Sequence, residues 1–466
     1  MIHILTRPHL LIISFLIFIS LSKIFSQEIP IEFRSFQLRK LLLDIGSKWE
    51  EKTIFGPIRF DRKDDISDSL ITNARFGTIL FNNRKMLYAY GHFTFKKNFH
   101  GYLYPRIVDH PDLFNRYSGI PRDIERGGFS SGETDISGIS FQNNWMIFQF
   151  GRGRQSWGAG NDIQICLSEN SNSYDYGMLD LDFGKLRVRY FHGYLETDSL
   201  ANNRYITGRG IEWNNGKYLL FGLSEIIIYS GENRPIDFAY FNPMSTHLEI
   251  ELNDRQNNIG TGNGNGVWQL SFDYNILEKI RFSVNYLFDE FTLDEQQTDE
   301  GKGKGRAYSI RSSYQVYQGQ ESIISCYASL ISVGTNTFKH QDGNNNFIQR
   351  GKPLGWDIGS DSKETKIGLN ALYNNKLILN IEAGRKDLGE KNLLNDPYIG
   401  YTDYLSGPFP SGEVEKVSFG SARFQWWVNP FSSVISEIKY NNSNMLGNDL
   451  EFNIGIDIFY PFKSVL

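Results

Sequence analysis

Residues 268–288 read WQLSFDYNILEKIRFSVNYLF, and apolar and polar side chains alternate along most of this stretch. The alternation runs from Trp268 to Ile276, stops over Leu277–Lys279 and resumes directly afterwards. Successive side chains of a β-strand point to opposite faces, so each run predicts a strand with one apolar and one polar face. The final stretch, Leu450–Phe462, repeats the pattern. The chain is therefore predicted to contain many such strands.

The connections between the predicted strands fall into two groups of different length. Short turns are predicted at Leu277–Lys279, Gln318–Glu321, Asn374–Asn375 and Asn429–Ser433, and long loops at Phe291–Gly305, Gly334–Glu364 and Asp387–Glu415. A soluble β-sandwich also alternates but has no reason to sort its loops, whereas outer-membrane barrels have short periplasmic turns and long extracellular loops. Aromatic residues at the strand ends suit the interfacial girdles of such a barrel, and they are Trp268, Tyr286, Trp426 and Tyr460.

The fold class is therefore predicted as all-β, a transmembrane β-barrel of about 16–18 antiparallel strands. Residues 1–26 resemble a signal peptide, because Arg7 precedes a short apolar stretch and Ser26 offers a cleavage site; an uncleaved anchor is the alternative. Residues 27–80 are predicted as a periplasmic or lumenal segment, in which Phe33–Lys52 fits either a short helix or a leader strand. Residues 81–466 are predicted to form the barrel.

Composition excludes several classes of function. The net charge of −5 does not favour a nucleic-acid partner. The two cysteines, Cys166 and Cys326, leave their pairing open and provide no zinc-ligand spacing. No cofactor is expected.

The glycine-rich stretch 151–162, GRGRQSWGAGND, directly follows a strand-like run. It lacks the Gly-Lys-Ser/Thr ending of a phosphate-binding loop, and no helical pattern follows it. Continued alternation places Arg152 and Arg154 on one face, which we predict to be the lumen. Gly158 and Gly160 permit the positive φ values of a turn. The stretch is predicted either to line the lumen or to brace the barrel.

A hydrolase is a weaker interpretation. An outer-membrane lipase needs a serine beside a histidine, and His192 and His247 are the candidates, but no G-x-S-x-G motif occurs. A glycosidase needs two carboxylates at a fixed separation, and 53 acidic residues make such pairs uninformative. We therefore expect a protein without catalytic activity.

The polar faces of the strands suit binding or passage through a polar lumen. Arg187 and Arg189 alternate with apolar residues and are predicted to face the lumen. Guanidinium groups bind carboxylates in pairs of hydrogen bonds, and aromatic faces pack against sugar rings. The alternative is that interior charges pair with one another and brace the barrel.

Two blocks resemble the capsule-assembly Wzi family of outer-membrane proteins. The first contains Gly151-Arg152, Trp157-Gly158-Ala159-Gly160 and Leu167-Ser168, with alanine where the family more often has proline. In the second, residues 222–251, the likeness is carried by Glu225, Tyr229, Tyr240, Asn242 and Pro243. The resemblance implies an 18-stranded barrel that acts as a surface lectin for capsular polysaccharide and aids its export or attachment.

The sequence and the resemblance together predict a barrel that binds surface polysaccharide, with outer-membrane lipid as its surroundings. Long loops at Tyr104–Asp135, Gly334–Glu364 and Asp387–Glu415 are expected to form or gate the ligand surface. The candidate ligand-binding residues are Arg152, Arg154, Trp157, Arg187, Arg189, Glu225 and Tyr240. The alternatives are a porin or sugar-uptake channel and an outer-membrane hydrolase.

Overall fold

The structure is a computed structural model. It describes residues 52–56, 70–114, 116–122, 127–257, 264–277, 279–289, 305–341, 343–374, 376–396 and 407–465, and the single residues 299, 301, 303 and 405. The predicted signal peptide lies outside the described residues. The element predicted at Phe33–Lys52 also lies outside them, apart from Lys52 itself.

Eighteen antiparallel strands of the described chain close into one barrel, as predicted. They are β2 (Leu70–Phe81), β3 (Lys85–Phe95), β4 (Phe99–Val108), β5 (Ser131–Gln142), β6 (Met146–Gly153), β8 (Tyr174–Asp182), β9 (Leu186–Thr197), β10 (Asn202–Asn214), β11 (Leu219–Glu232), β12 (Asn265–Ile276), β13 (Ile280–Phe288), β14 (Arg306–Gln318), β15 (Ile323–Val333), β18 (Ser362–Tyr373), β19 (Leu377–Leu388), β20 (Glu415–Asn429), β21 (Ser432–Ser443) and β22 (Gly447–Val465). Inside the barrel, β1 (Phe55–Gly56) pairs with β7 (Ser156–Trp157), and β16 (Ile348–Gln349) with β17 (Lys352–Pro353).

The barrel closes where the last strand meets the first. Strand β22 pairs with β2 from Ile71↔Val465 to Phe81↔Gly455. Closure leaves no strand edge, which a spanning β-structure requires because lipid offers no hydrogen bonds to the backbone. Since β2 begins at Leu70, the barrel starts before the boundary that the sequence predicted at residue 81.

The two ends of the barrel differ in their connections. At one end, the short-turn end, connections of two to four residues join consecutive strands, as at 96–98, 277–279 and 430–431. At the other, the long-loop end, six connections run for 17–32 residues, at 109–130, 154–173, 233–264, 289–305, 334–361 and 389–414. Three short turns, at 82–84, 198–201 and 444–446, also lie at the long-loop end. In outer-membrane barrels the short turns are periplasmic, so the long-loop end is the extracellular one.

The wall has an apolar outer face and a polar inner face, as the alternation predicts. On β22, Phe452 and Ile456 are half exposed on the outside, whereas Asn453 and Asp457 are buried inside. The described residues contain two short helices, Phe238–Phe241 and His247–Leu252, and a 3-10 turn at Pro111–Leu113. Among these residues, no helix has the length and hydropathy to cross a membrane.

Three segments fold into the lumen and pack together. We call them the plug: residues 52–56, 154–173 and 343–361. Backbone hydrogen bonds join them, from Gly158 N to Ile54 O (2.9 Å) and from Trp356 N to Ile165 O (3.0 Å). Their apolar side chains form one buried cluster, which includes Ile54, Phe55, Trp157, Ile163, Ile165, Cys166, Leu167, Phe347, Leu354 and Trp356. The same cluster contains apolar side chains on the inner face of the wall, such as Phe191 and Ile206, so the plug and this part of the wall share one hydrophobic core.

Candidate functional site

The glycine-rich stretch begins in the wall. Strand β6 ends at Gly153, and Gly151 lies so close to β5 that a Cβ atom would sit 2.1 Å from Ser137 O. Arg152 shares the outer face of β6 with the exposed Phe148 and Phe150. It donates from Nε to Thr134 O (3.0 Å), and its Nη1 lies 3.3 Å from Asp175 Oδ2. Arg152 is thus on the outer rim of the long-loop end and not in the lumen, which corrects the prediction.

Arg154 lies past the end of the strand and turns inward. Its guanidinium donates to Asp135 Oδ1 and to Ser171 O, both at 2.5 Å, and Arg106 also binds Asp135 at 2.9 Å. The prediction that both arginines share a face fails because β6 stops at Gly153, so the alternation does not extend to residue 154. Arg154 ties the plug to the wall.

Trp157 is the centre of the plug core and is fully buried. Its ring packs edge-on against Phe55 (4.8 Å between centroids) and Phe191 (5.2 Å). The turn predicted after it is present, since Gly158 and Gly160 have φ values of 135° and 76°. Opposite the turn, Asn285 Oδ1 accepts a hydrogen bond from Ala159 N at 2.7 Å. These contacts make Trp157 a brace in this structure, because its ring is closed to a ligand.

Arg187 and Arg189 face the lumen, as predicted, and share one carboxylate. Asp180 accepts from Arg187 Nε at 2.9 Å and from Arg189 Nε at 2.5 Å. Arg189 is buried and its guanidinium lies 5.7 Å from the ring centroid of Phe55. The geometry favours the bracing alternative for both arginines, since their charges are already compensated within the wall.

Glu225 and Tyr240 meet on the outside of the wall. Glu225 projects from the outer face of β11 and accepts a hydrogen bond from His247 N at 3.0 Å. Tyr240 stacks on Tyr229 with 4.6 Å between ring centroids. Both residues are buried, Glu225 on the wall and Tyr240 in the loop that follows β11. They form a docking contact between this loop and the wall.

The two candidate histidines of the hydrolase interpretation lie in the same outer contact. His192 Nε2 is 2.8 Å from Tyr229 Oη, and His247 lies 3.8 Å from Glu225 and 3.5 Å from Glu251. None of these partners is a serine. Among the described residues, no group of three or more His, Cys, Asp or Glu side chains is arranged to hold a metal ion.

Sequence analysis missed a group of basic side chains at the long-loop end. We call Arg116, Arg350 and Lys352 the mouth cluster. Arg350, at the tip of the β16–β17 hairpin, is exposed and donates to Ser118 O at 3.2 Å. Lys352 donates to Tyr117 O at 3.2 Å. Arg116 Nε donates to Glu169 O at 2.9 Å.

The mouth cluster is held by backbone carbonyls and lies near carboxylates. Its three side chains donate to the carbonyls named above, Arg116 interacts electrostatically with Asp135, and Lys352 interacts with Glu133. Burial, and next the guanidinium of Arg154, lower the pKa of Lys352 below its ordinary value. The predicted loops Tyr104–Asp135 and Gly334–Glu364 contain these residues, but the loops are far apart in sequence and nothing local indicates that they meet.

A half-open pocket lies between the segments of the plug. It holds about 660 Å³ of space, counting solvent at its opening. Its polar lining includes Thr53, Asn161, Asp162, Gln164, Glu169 and Asn170, with Trp356 as an aromatic wall. The described plug residues thus leave part of the lumen open to solvent. The two cysteines do not pair: Cys166 is a buried free thiol, and Cys326 is also free.

Comparison with solved structures identifies the fold. The structure is similar to that of Wzi from Escherichia coli, described as an outer membrane protein involved in group 1 capsule assembly and a carbohydrate-binding β-barrel. The TM-score is 0.59 at 12% identity, with 84% of each chain covered. OprD from Pseudomonas aeruginosa is also similar, at a TM-score of 0.46 and 9% identity, with 85% of this chain and 94% of that chain covered. The first likeness establishes the barrel fold; the second is too distant to add to it.

The sequence comparison is more specific. No curated protein sequence matches the chain. The family model described as capsule assembly protein Wzi matches residues 81–450, well over half of the 466 residues. The chain is an outer-membrane β-barrel that belongs to the Wzi family of capsule-assembly proteins.

Proposed function

We propose that this barrel binds surface polysaccharide at its long-loop end and so helps to assemble or retain the capsule, without catalysing a reaction. The observation that carries the proposal is the family match over residues 81–450. The plug supports binding over free passage, because its hydrophobic core occupies the lumen beside strands β6 to β14. A ligand from outside would meet the long loops first.

The mouth cluster is the surface we assign to this ligand. Arg350 is exposed, and Arg116 and Lys352 are partly exposed beside it. Guanidinium groups bind carboxylates with paired, charge-assisted hydrogen bonds, so the cluster suits a polysaccharide that contains acidic sugars. The two arginines would fix the orientation of a carboxylate, and Lys352 would contribute a point charge.

The sequence-predicted residues have a different role in this proposal. Arg154, Arg187, Arg189 and Trp157 hold the plug and the wall in place, and so they position the mouth cluster indirectly. Arg152, on the outer rim, remains a ligand candidate through its partly exposed guanidinium. Glu225 and Tyr240 dock a loop on the outside and do not reach the mouth.

A capsule-retention experiment tests the proposal in cells. The gene is deleted, and cell-bound and released polysaccharide are measured after complementation with the wild type, with Arg350→Ala/Lys352→Ala, or with Arg255→Ala. Arg255 is a matched control, because it is an exposed arginine outside the mouth cluster. We expect the double variant to release polysaccharide as the deletion does, and the control to retain it. Unchanged retention in the deletion strain would contradict the proposal.

A further inference from the structure

Residues 233–257, which follow β11, fold back over the outside of the barrel. We call them the flap. The wall beneath it is the lipid side: Tyr190 shares its face of β9 with Leu186, which is 39% exposed. Likewise Arg209 shares its face of β10 with Ile211, and Glu225 its face of β11 with Phe221. The inner faces of the same strands contact the plug. On β10, for example, Glu212 accepts a hydrogen bond from Thr53 of the plug at 2.7 Å.

Polar and stacking contacts fix the flap to this outer face. Tyr190 Oη donates to Phe241 O at 2.5 Å, and Arg209 Nη1 donates to Asn242 O at 3.2 Å. The rings of Tyr205, Tyr229 and Tyr240 stack in series, with centroids 5.0 Å and 4.6 Å apart. The flap is therefore a docked element with a defined position on the wall.

The flap covers charges that would otherwise face lipid. Arg209 Nε lies 3.3 Å from Glu225 Oε2, and only 1% of the Glu225 side chain is exposed. Glu225 is six residues above the short-turn end of β11, which at ~3.4 Å per residue and a tilt of ~40° is about 15 Å of height. The apolar band of such barrels is about 25 Å tall, so this height falls within the outward half of the band. An uncovered arginine there would be strongly destabilising.

The outward side of the flap is mostly apolar as far as Leu252, and the exposed polar residues Asn253–Arg255 follow it. Phe238, Met244 and Leu252 are 82%, 85% and 81% exposed, and Ile236, Phe241 and Leu248 are also exposed. Leu248 and Leu252 are one helical turn apart on His247–Leu252, while Ile250 of the same helix is buried against the wall. An apolar surface of this kind is unfavourable in water. It continues the lipid-facing surface formed lower on the wall by Ile211, Trp213 and Phe221.

We propose that the flap lies in the outer-leaflet half of the membrane and contacts lipid acyl chains with Phe238, Met244 and Leu252. The apolar surface of the flap is continuous with the lipid-facing wall, and the charges beneath the flap lie at the depth of the apolar band. Both observations favour lipid as the medium that the flap contacts. The flap thereby makes one sector of the wall two layers thick. It turns a charged patch into an apolar surface without removing the charges. This inference is independent of polysaccharide binding.

Site-directed nitroxide labelling tests the inference in reconstituted bilayers. In a Cys166→Ala/Cys326→Ala background, single cysteines replace Phe238, Met244 or Leu252 and carry the label. Two reference sites calibrate the measurement: Ile458 on the lipid face of β22, and Asn170, which is exposed on the plug. Collision rates with oxygen report lipid, and collision rates with a water-soluble nickel chelate report water.

We expect the three flap sites to match Ile458, with at least a fivefold higher ratio of oxygen to nickel collisions than Asn170. Because the three side chains are exposed, the replacements leave the packing intact, and heat-modifiable gel mobility checks that each barrel is folded. Ratios equal to that of Asn170 in folded protein would overturn the inference. An outcome in which only Leu252 matches Ile458 would also overturn it, because the proposal requires all three contacts.

Discussion

The flap and the two longer plug segments are connections from the long-loop end, yet they bury opposite kinds of side chain. In the plug, Trp157 and Ile165 are buried together and polar groups bind the wall. In the flap, Arg234 and Asp237 are buried and Met244 faces outward. The surroundings explain the difference, since the plug is enclosed by the wall and the flap borders the lipid side of the wall. Which side chains are buried depends on the medium as well as on hydrophobicity.

The largest expected effect is a difference in the free energy of unfolding between a plug variant and a flap variant. Trp157→Ala removes a fully buried ring and should lower the free energy of unfolding by about 3–5 kcal/mol. Met244→Ala removes an exposed side chain and should change it by less than about 0.5 kcal/mol in detergent micelles, where detergent replaces lipid. Denaturant titration followed by gel mobility measures both. Equal losses would show that the plug core does not stabilise the barrel.

The next effect compares charges inside the barrel with charges on the flap. Asp180→Asn leaves the buried Arg189 and the nearly buried Arg187 without their shared carboxylate, and we expect a loss of about 3 kcal/mol in the free energy of unfolding. The flap pair Arg255–Glu249 is exposed on both sides, so Glu249→Gln should cost at most about 1 kcal/mol. The same titration compares them. If Asp180→Asn is as mild as the control, the lumen charges do not brace the barrel.

The smallest effect is a pH dependence at the tip of the plug. The lowered pKa of Lys352 means that its charge is lost at a lower pH than that of an ordinary lysine. Affinity for acidic polysaccharide should therefore fall over a pH range that begins below the ordinary lysine pKa of about 10.4, by no more than about 1 kcal/mol. Lys352→Arg keeps its charge over this range and should show a flatter profile. Parallel profiles for the two proteins would exclude Lys352 from the contact.

The barrel could be predicted because its determinants are local. Alternation along Trp268–Ile276 and the contrast between short and long connections are readable without knowing any distant contact. The prediction that Arg152 and Arg154 share a face failed because the alternation was extended past Gly153, where the strand ends. Local patterns therefore predict each strand well but not the point at which the chain leaves the wall.

The positions of the loops could not be predicted, because distant residues decide them. Ala159 binds Asn285, which is 126 residues away, and this contact is invisible in either local sequence. One clue to the flap was present: Arg209 and Glu225 occupy the otherwise apolar face of their strands. A charge pair on a lipid-facing surface indicates a cover. The residues of the mouth cluster gave no comparable indication.

Equilibrium binding of the host's own capsular polysaccharide to the purified, detergent-solubilised barrel tests the central claim most directly. The account predicts saturable binding by the wild type and by Arg255→Ala. It predicts at least tenfold weaker binding by Arg350→Ala/Lys352→Ala, which corresponds to about 1.4 kcal/mol or more. A wild-type protein that is folded and does not bind the polysaccharide would contradict the account.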